Sequence, residues 1–329
     1  MGAGIFNTSA SAARASMRAS SGTTAFIHDL AARAGKVAPL HKSMDVTRKP
    51  RRESRDVAGK APATPIMVWL DVTGSMSEIP ALLIQDLNKL MKLIVEGKVV
   101  TDPQICFAAI GDATCDRVPV QVGEFEADDK RAEEHLSNIF LEGGGGGQNT
   151  ESYEMALWFA GNQVDTDAFE KRGEKGFLFI IGDEAPYQKV RRDLAKQYLG
   201  VAMERDTALQ EAVKQASEKF HVFIIRPGGT SNYGDPRVQR AWTQVLPAER
   251  VIRQENWQDI VPLMAGTISV MSGESLDDTV AAMAASGFDA GAIDATTKSL
   301  VPLANGAGAP VVAGIVAAMG RVFPSARRL

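Results

Sequence analysis

Five hydrophobic runs, separated by amphipathic segments, constrain the fold of this chain more than any other feature. They are PIMVWL (65–70), QICFAAIG (104–111), FLFIIGD (177–183), FHVFIIR (220–226) and ERVIRQ (249–254). Four of them are continuous rather than alternating, as strands buried on both faces of a sheet are. This alternation of apolar runs and amphipathic segments predicts an α/β fold, with a doubly wound and mostly parallel six-stranded sheet and helices on both faces.

A weaker run supplies the sixth strand. VPVQVGEF (118–125) follows the second run closely enough to pair with it as an antiparallel edge. Apolar residues recur at spacings of three and four from Ile79 to Ile94, which predicts a helix there. Further helices are predicted at 128–140, 150–161, 188–200, 206–219 and 257–271.

Composition changes at both ends of this region, so the predicted domain runs from 63 to 272. Residues 273–329 form a tail rich in Ala and Gly, in which short helices are possible without an independent core. Residues 1–62 are rich in Ala and Ser. Residues 1–60 carry eleven Lys and Arg against four acidic residues, although the net charge of the whole chain is −4. We predict a flexible basic arm, which either docks on a partner or wraps the acidic domain.

Several classes of protein are disfavoured by the sequence. The basic run RKPRRESR (48–55) has no interleaved aromatic residues, which argues against a nucleic-acid interface. The N-terminus lacks the apolar core of a secretory signal, and the segment 306–323 is too rich in Ala and Gly, with Pro310 inside it, to favour a membrane span. Cys106 and Cys115 form neither a C-x-x-C pair nor a cluster with His, so a reducing, cytoplasmic compartment is expected.

Three loops are rich in oxygen-bearing side chains. They are DVTGSMS (71–77), GGGGGQNTES (143–152) and GDEAPY (182–187). In an open parallel sheet, ligands bind outside the carboxyl ends of the strands, where such loops meet. Carboxylate and hydroxyl oxygens with some water suit Mg²⁺ better than zinc, so the sequence predicts a magnesium site at this edge.

Two of these loops carry a resemblance to a known family. DVTGSMS resembles the D-x-T/S-x-S motif of von Willebrand factor A (vWA) domains, which is a metal-ion-dependent adhesion site, and FLFIIGDEAPY resembles that family's fourth strand with its site aspartate. The resemblance covers about 63–272. It implies that Thr73 and Ser75 bind the metal directly, and that Asp71 and Asp183 bind it chiefly through water.

The sequence leaves the last metal ligand undecided. The resemblance implies one further ligand from the glycine-rich loop: alignment on Glu151 and Ser152 selects Gln148, whereas side-chain chemistry favours Thr150. Four residues after the second and fourth strands are expected to lie at the rim of the site or to contact the metal ligands rather than the metal: Asp112, Asp116, Glu184 and Tyr187. The two aspartates can equally be turn residues that satisfy local backbone groups.

The resemblance implies a function in protein binding rather than catalysis. A cation held mostly by neutral ligands keeps an open coordination position, which an acidic side chain of a partner protein can fill. Mg²⁺ is the expected ion, with Mn²⁺ or Ca²⁺ as substitutes, and MoxR-type AAA+ ATPases are partners that the resemblance permits within an intracellular assembly. Two alternatives remain: a Mg²⁺-dependent phosphohydrolase that uses Asp71 as nucleophile, although Thr73 stands where a second acid is usual, and a metal-free structural subunit.

Overall fold

A mixed α/β fold with a six-stranded, mostly parallel central sheet is present in the computed structural model, which describes residues 4–76, 78–144 and 149–306, apart from the side chain of Ser75. The strands of this sheet are Thr64–Asp71 (β1), Pro103–Ile110 (β2), Val120–Val122 (β3), Gly176–Ile181 (β4), Phe220–Pro227 (β5) and Val251–Gln254 (β6). Their spatial order is β6-β5-β4-β1-β2-β3. All neighbours are parallel except β3, which runs antiparallel to β2 as predicted.

Helices cover both faces of the sheet. They span Thr8–Ser21 (α1), Ile27–Arg33 (α2), Ile79–Met91 (α3), Asp129–Ser137 (α4), Tyr153–Asn162 (α5), Asp167–Arg172 (α6), Leu209–Lys219 (α7), Pro236–Thr243 (α8), Ile260–Met271 (α9), Leu276–Ala285 (α10) and Ala290–Gly306 (α11). The 188–200 region forms only a short helical turn, Arg192–Leu194, continued by a π turn over Ala195–Leu199. The other predicted helices are confirmed, with bounds shifted by a few residues.

Alternate residues of each central strand enter two different cores. In β1, Ile66 and Val68 join the core under α3 and α9, while Met67 and Trp69 join the core under α5 and α7. This is the two-fold alternation of side chains along a strand, with an apolar layer on each side. It explains why these runs read as continuous hydrophobic sequence.

The N-terminal segment differs from the predicted flexible arm. Its helices α1 and α2 pack on the domain, and its apolar side chains Phe6, Phe26, Met44 and Val46 are buried. The segment runs along the domain, and the Met44 carbonyl accepts a bond from the Val122 amide at the sheet edge. Of the two alternatives, the wrapping of the acidic domain is the one that the structure contains.

Ion pairs accompany the apolar contacts between the N-terminal segment and the domain. Arg14 donates to Asp129 at 2.5 Å and to Glu133 at 2.8 Å on α4, and Arg51 contacts Asp165 at 2.8 Å. Opposite charges of the two parts of the chain therefore meet across this interface.

The C-terminal region is folded as far as it is described. Helices α10 and α11 pack on α9 and bury Met283, Leu300 and Leu303 in the same core as α3. Residues 307–329, which include most of the stretch tested as a membrane span, lie outside the described residues. Within the described part of the chain, no helix is long and apolar enough to cross a membrane.

Candidate functional site

The candidate site lies where the order of strands reverses. From β1 the chain crosses to β2 on one side, and later places β4 on the other side of β1. The crevice at the carboxyl ends of such a strand pair is where open α/β sheets place ligands. Asp71 ends β1, and Asp183 follows β4 by two residues, so two predicted carboxylates flank this crevice.

Asp71 is fully buried and its two carboxylate oxygens have different partners. The backbone amide and the hydroxyl of Thr73 donate to Oδ1 at 2.9 and 2.6 Å. The hydroxyl of Tyr153, at the start of α5, donates to Oδ2 at 2.6 Å. This is an Asx-type turn that fixes the carboxylate, and because Thr73 gives its proton to Asp71, the lone pairs of the Thr73 oxygen stay available to a cation.

Asp183 is equally buried and is held from the loop after β5. The backbone amide of Asn232 donates to its Oδ2 at 2.9 Å. That loop is organised by the fully buried guanidinium of Arg226, which donates to the carbonyl oxygens of Asn232 at 2.6 Å and Tyr233 at 3.2 Å. The roles of Arg226 and Asn232 were not predicted from the sequence, because a strand that ends in Arg-Pro gives no sign that its arginine organises the following loop.

The glycine-rich loop touches the first loop through backbone bonds. The Gly143 amide donates to the Val72 carbonyl at 3.2 Å, and the Gly74 amide donates to the Gly144 carbonyl at 2.8 Å. Gly74 lies in a 3-10 turn, Gly74–Met76, whose second residue is Ser75. Gln148 lies outside the described residues, so the choice between Gln148 and Thr150 stays open.

Thr150 and Glu151 lie beside the chain that follows the carboxyl end of β4. They pair in parallel with Ala185 and Pro186, which brings the end of the glycine-rich loop next to Asp183. Glu151 is 1% exposed, and its Oε2 atom has no hydrogen-bond partner. In the sequence, Glu151 lies between two polar residues before an apolar helix, and this position does not mark it as a site residue.

The four predicted rim residues fall into two groups. Asp112 and Asp116 are turn residues: Asp112 Oδ1 accepts from the amide and hydroxyl of Thr114 at 2.8 and 2.7 Å, and Asp116 Oδ2 accepts from the Asp112 amide at 2.7 Å. Tyr187 reaches this turn, because its hydroxyl donates to Asp112 Oδ2 at 3.0 Å. Asp112 and Tyr187 are thus brought together, as the turn and rim interpretations both allow.

Glu184 belongs to the side of the site formed by β4 and β5. Its carbonyl accepts a bond from the Trp242 indole at 3.0 Å, and its Oε1 accepts one from the Asn232 side chain at 3.4 Å. Trp242 in turn packs against Tyr153, with ring centroids 5.7 Å apart. Asp71, Tyr153, Trp242 and Glu184 therefore form one connected group beneath the site.

Electrostatics at this edge favour a positive ligand. Burial raises the pKa of Asp71, and the neighbouring Asp183 raises it further, against the hydrogen bonds from Thr73 and Tyr153. Burial, followed by repulsion from Asp71 and Asp183, raises the pKa of Glu184 to about 7. Burial and then Asp71 and Glu184 raise the pKa of Glu151. A cation would offset this mutual repulsion, and carboxyl groups with raised pKa values in a crevice make this edge a candidate functional site.

A hard cation that keeps part of its water would meet carboxylate and hydroxyl oxygens at this edge. Among the described residues, no three His, Cys, Asp or Glu side chains converge closely enough to hold a metal by themselves. A cation here would therefore depend on hydroxyl and water ligands besides carboxylates, as Mg²⁺ commonly does. The unpartnered Glu151 oxygen and the oriented Thr73 hydroxyl agree with such a ligand set.

Comparison with known proteins adds little. No family model and no curated protein matches the chain. Among solved structures, two of the pilus adhesin SpaC from Lactobacillus rhamnosus GG are similar, one of them in an open conformation, with TM-scores of 0.43 and 0.42 and identities of 8% and 7%. The similarity covers 67% and 66% of this chain but only 31% and 32% of the adhesin. At this level it carries no conclusion about what the chain binds.

Proposed function

We propose that this protein is a metal-ion-dependent binding module of the vWA type, with a doubly wound sheet. In this proposal the crevice between β1 and β4 holds a divalent cation, and the cation captures an acidic side chain of a partner protein. The observation that carries the proposal is the Asp71–Thr73 turn at the strand switch point, with Asp183 on the adjacent strand.

Each residue has a stated role in the proposal. Thr73 and Ser75 offer neutral hydroxyl oxygens, and Asp71 and Asp183 supply negative charge through water. Either Gln148 or Thr150 completes the set. The cation, Mg²⁺ or in its place Mn²⁺ or Ca²⁺, supplies a positive charge that neutral ligands leave largely unneutralised, so a carboxylate of the partner is attracted to it.

Two features of Asp71 support binding over phosphoryl transfer. Its carboxylate is fully buried, and both of its oxygens accept hydrogen bonds, which holds it in place and lowers its nucleophilicity. We propose an adaptor within an intracellular, cytoplasmic assembly, and MoxR-type AAA+ ATPases, which the vWA resemblance permits, are partners to test first.

Calorimetric titration of the full chain with Mg²⁺ and Mn²⁺ tests the proposal. We expect binding by wild type, none by Asp71→Ala, and unchanged binding by Asp193→Ala, which removes an exposed carboxylate outside the site. No binding by wild type would contradict the proposal and favour the metal-free structural subunit. A pull-down with Mg²⁺, repeated with EDTA, then identifies partners that are held through the cation.

The enzymatic alternative needs a separate assay. Wild type with Mg²⁺ and a generic phosphomonoester is expected to show no turnover. Turnover that Asp71→Asn abolishes would contradict an adaptor-only role.

A further inference from the structure

The N-terminal segment makes a polar contact with the chain that enters the glycine-rich loop. Asp29 of α2 accepts a hydrogen bond from the Leu141 amide through Oδ1, at 3.0 Å. Its Oδ2 accepts from Arg33 Nε at 2.8 Å, and Arg33 also donates to the Leu141 carbonyl. Both backbone groups of Leu141 are therefore held by one ion pair of α2.

Apolar burial explains only part of why α2 lies here. Ile27 and Leu30 on the same helix remain 73% and 56% exposed. Asp29, by contrast, is buried although it is charged, and the guanidinium of Arg33 lies 5.3 Å from the centre of the Phe140 ring. A buried carboxylate is retained at low free-energy cost only where it is paired and hydrogen-bonded, and here its partners are Arg33 and the loop.

Leu141 lies two and three residues before the glycines that touch the candidate site. Gly143 and Gly144 form the backbone bonds to Val72 and Gly74, which are the residues on either side of Thr73. Gly143 adopts a left-handed conformation, with φ of 70°, and the Arg33 side chain lies against it. A continuous series of contacts thus leads from Asp29 through Leu141 to the turn that orients Thr73.

We infer that Asp29 and Arg33 are positioning residues for the candidate cation site, and that the affinity of this site for a divalent cation depends on the docking of α2. The inference rests on the proposed function. α2 holds Leu141–Gly144 against the Asp71–Thr73 turn, so loss of the ion pair lets the loop move away. By linkage, a bound cation must in turn stabilise the docked N-terminal segment.

Three variants of the full chain separate this role from general stabilisation. Asp29→Ala removes the acceptor of the Leu141 amide, and Arg33→Ala, at a half-exposed side chain, removes the donor to its carbonyl. Arg51→Ala is the matched control, because it breaks another ion pair between the N-terminal segment and the domain, with Asp165. Thermal midpoints in EDTA report how far each variant loses stability without the cation.

Two readouts follow the loop and the cation separately. We expect Asp29→Ala and Arg33→Ala to weaken Mg²⁺ binding about tenfold in calorimetry, a loss typical of groups that orient metal ligands, and Arg51→Ala to bind within about twofold of wild type. In EDTA, amide hydrogen exchange over 72–76 and 140–144 should quicken in the first two variants and stay unchanged in Arg51→Ala.

The outcomes distinguish this inference from the proposed function. If wild type binds the cation and both α2 variants bind it equally well, or if the loop exchanges no faster in them, only the inference is wrong. A loss of affinity that Arg51→Ala shares also overturns it, because general destabilisation then accounts for the effect. If wild type binds neither Mg²⁺ nor Mn²⁺, both proposals fail.

Discussion

The hydroxyl of Tyr153 donates a hydrogen bond to Oδ2 of Asp71 across 2.6 Å, between two fully buried side chains. Tyr153 begins α5 and Asp71 ends β1, so this bond ties the helix that follows the glycine-rich loop to the strand that carries the first site residue. Because Tyr153 occupies Oδ2, the amide and hydroxyl of Thr73 donate to the other carboxylate oxygen, Oδ1. The orientation of the Thr73 hydroxyl therefore depends on a residue far along the chain.

Removal of this hydroxyl should destabilise the metal-free protein. We expect Tyr153→Phe to lower the free energy of unfolding by about 2 kcal/mol, because a buried carboxylate oxygen loses a charge-assisted bond. Urea denaturation in EDTA measures the change. Tyr198→Phe, at a partly exposed tyrosine, should stay within about 0.5 kcal/mol of wild type, and an equal loss in both variants would contradict this account.

Gly182 gives a second test of the same contact. A methyl group added there would overlap the Tyr153 hydroxyl, whereas one added at Gly234 meets no atom within 4 Å. We expect Gly182→Ala to lower the free energy of unfolding by about 1–3 kcal/mol through overpacking, and Gly234→Ala to change it little. Equal thermal midpoints of Gly182→Ala and wild type would show that Tyr153 can move without loss.

Docking of α1 should depend on Glu133. This buried carboxylate accepts bonds from the Ser11 hydroxyl at 2.6 Å, from Arg14 and from Arg18. We expect Glu133→Gln to lower stability by about 1–2 kcal/mol, since it weakens a partly buried charge network. Trypsin should then cleave the N-terminal segment faster, while the exposed neighbour variant Glu134→Gln should be cleaved at the wild-type rate. No difference between the two variants would contradict docking by this network.

The partly buried His221 should make the protein less stable at low pH. Burial, with repulsion from Arg250 and Lys175, lowers its pKa to about 4. The unfolded chain, with a pKa of about 6.5, therefore binds the proton first as pH falls. Stability from this group is present above about pH 6.5 and is lost as pH falls toward about 4.

Replacement of His221 should remove that part of the pH dependence. Between about pH 7 and about pH 4.5, we expect wild type to lose about 1 kcal/mol more stability than His221→Gln, after allowance for solvent screening. Urea denaturation at both pH values measures this difference. Parallel losses in the two proteins would show that His221 is not the group responsible.

The sheet could be predicted because its strands are buried on both faces. Continuous apolar runs such as 177–183 leave few alternatives, and the antiparallel edge followed from its short distance to the second run. The short helices α6 and α8 were missed, since each depends on a single cap, Thr166 or Asp235, rather than on a long amphipathic pattern.

The docked helices of the N-terminal segment were not predicted, for a physical reason. Low hydropathy and high positive charge are typical of a flexible arm, but the acidic partners that fix this segment, among them Asp129 and Glu133, lie over a hundred residues away. Charge complementarity between distant segments has no local periodic signal. Its only sign in the sequence was the contrast between a basic end and an acidic remainder.

In the candidate site, too, residues with a local sequence signal could be predicted and residues defined by long-range contacts could not. Asp71, Thr73 and Asp183 could be named from their places after strands, and the structure brings them to one crevice. Tyr153, Glu151 and Arg226 could not, because their roles depend on which loops meet at the sheet edge. Sequence patterns indicate local geometry well and contacts between loops poorly.

The most direct test of the cation site is the anomalous difference density of Mn²⁺ in crystals of the full chain. Our account predicts a peak in the crevice between the ends of β1 and β4, beside Thr73, with no such peak in Asp71→Ala. A peak confined to another surface, or no peak in wild-type crystals soaked in Mn²⁺, would contradict it.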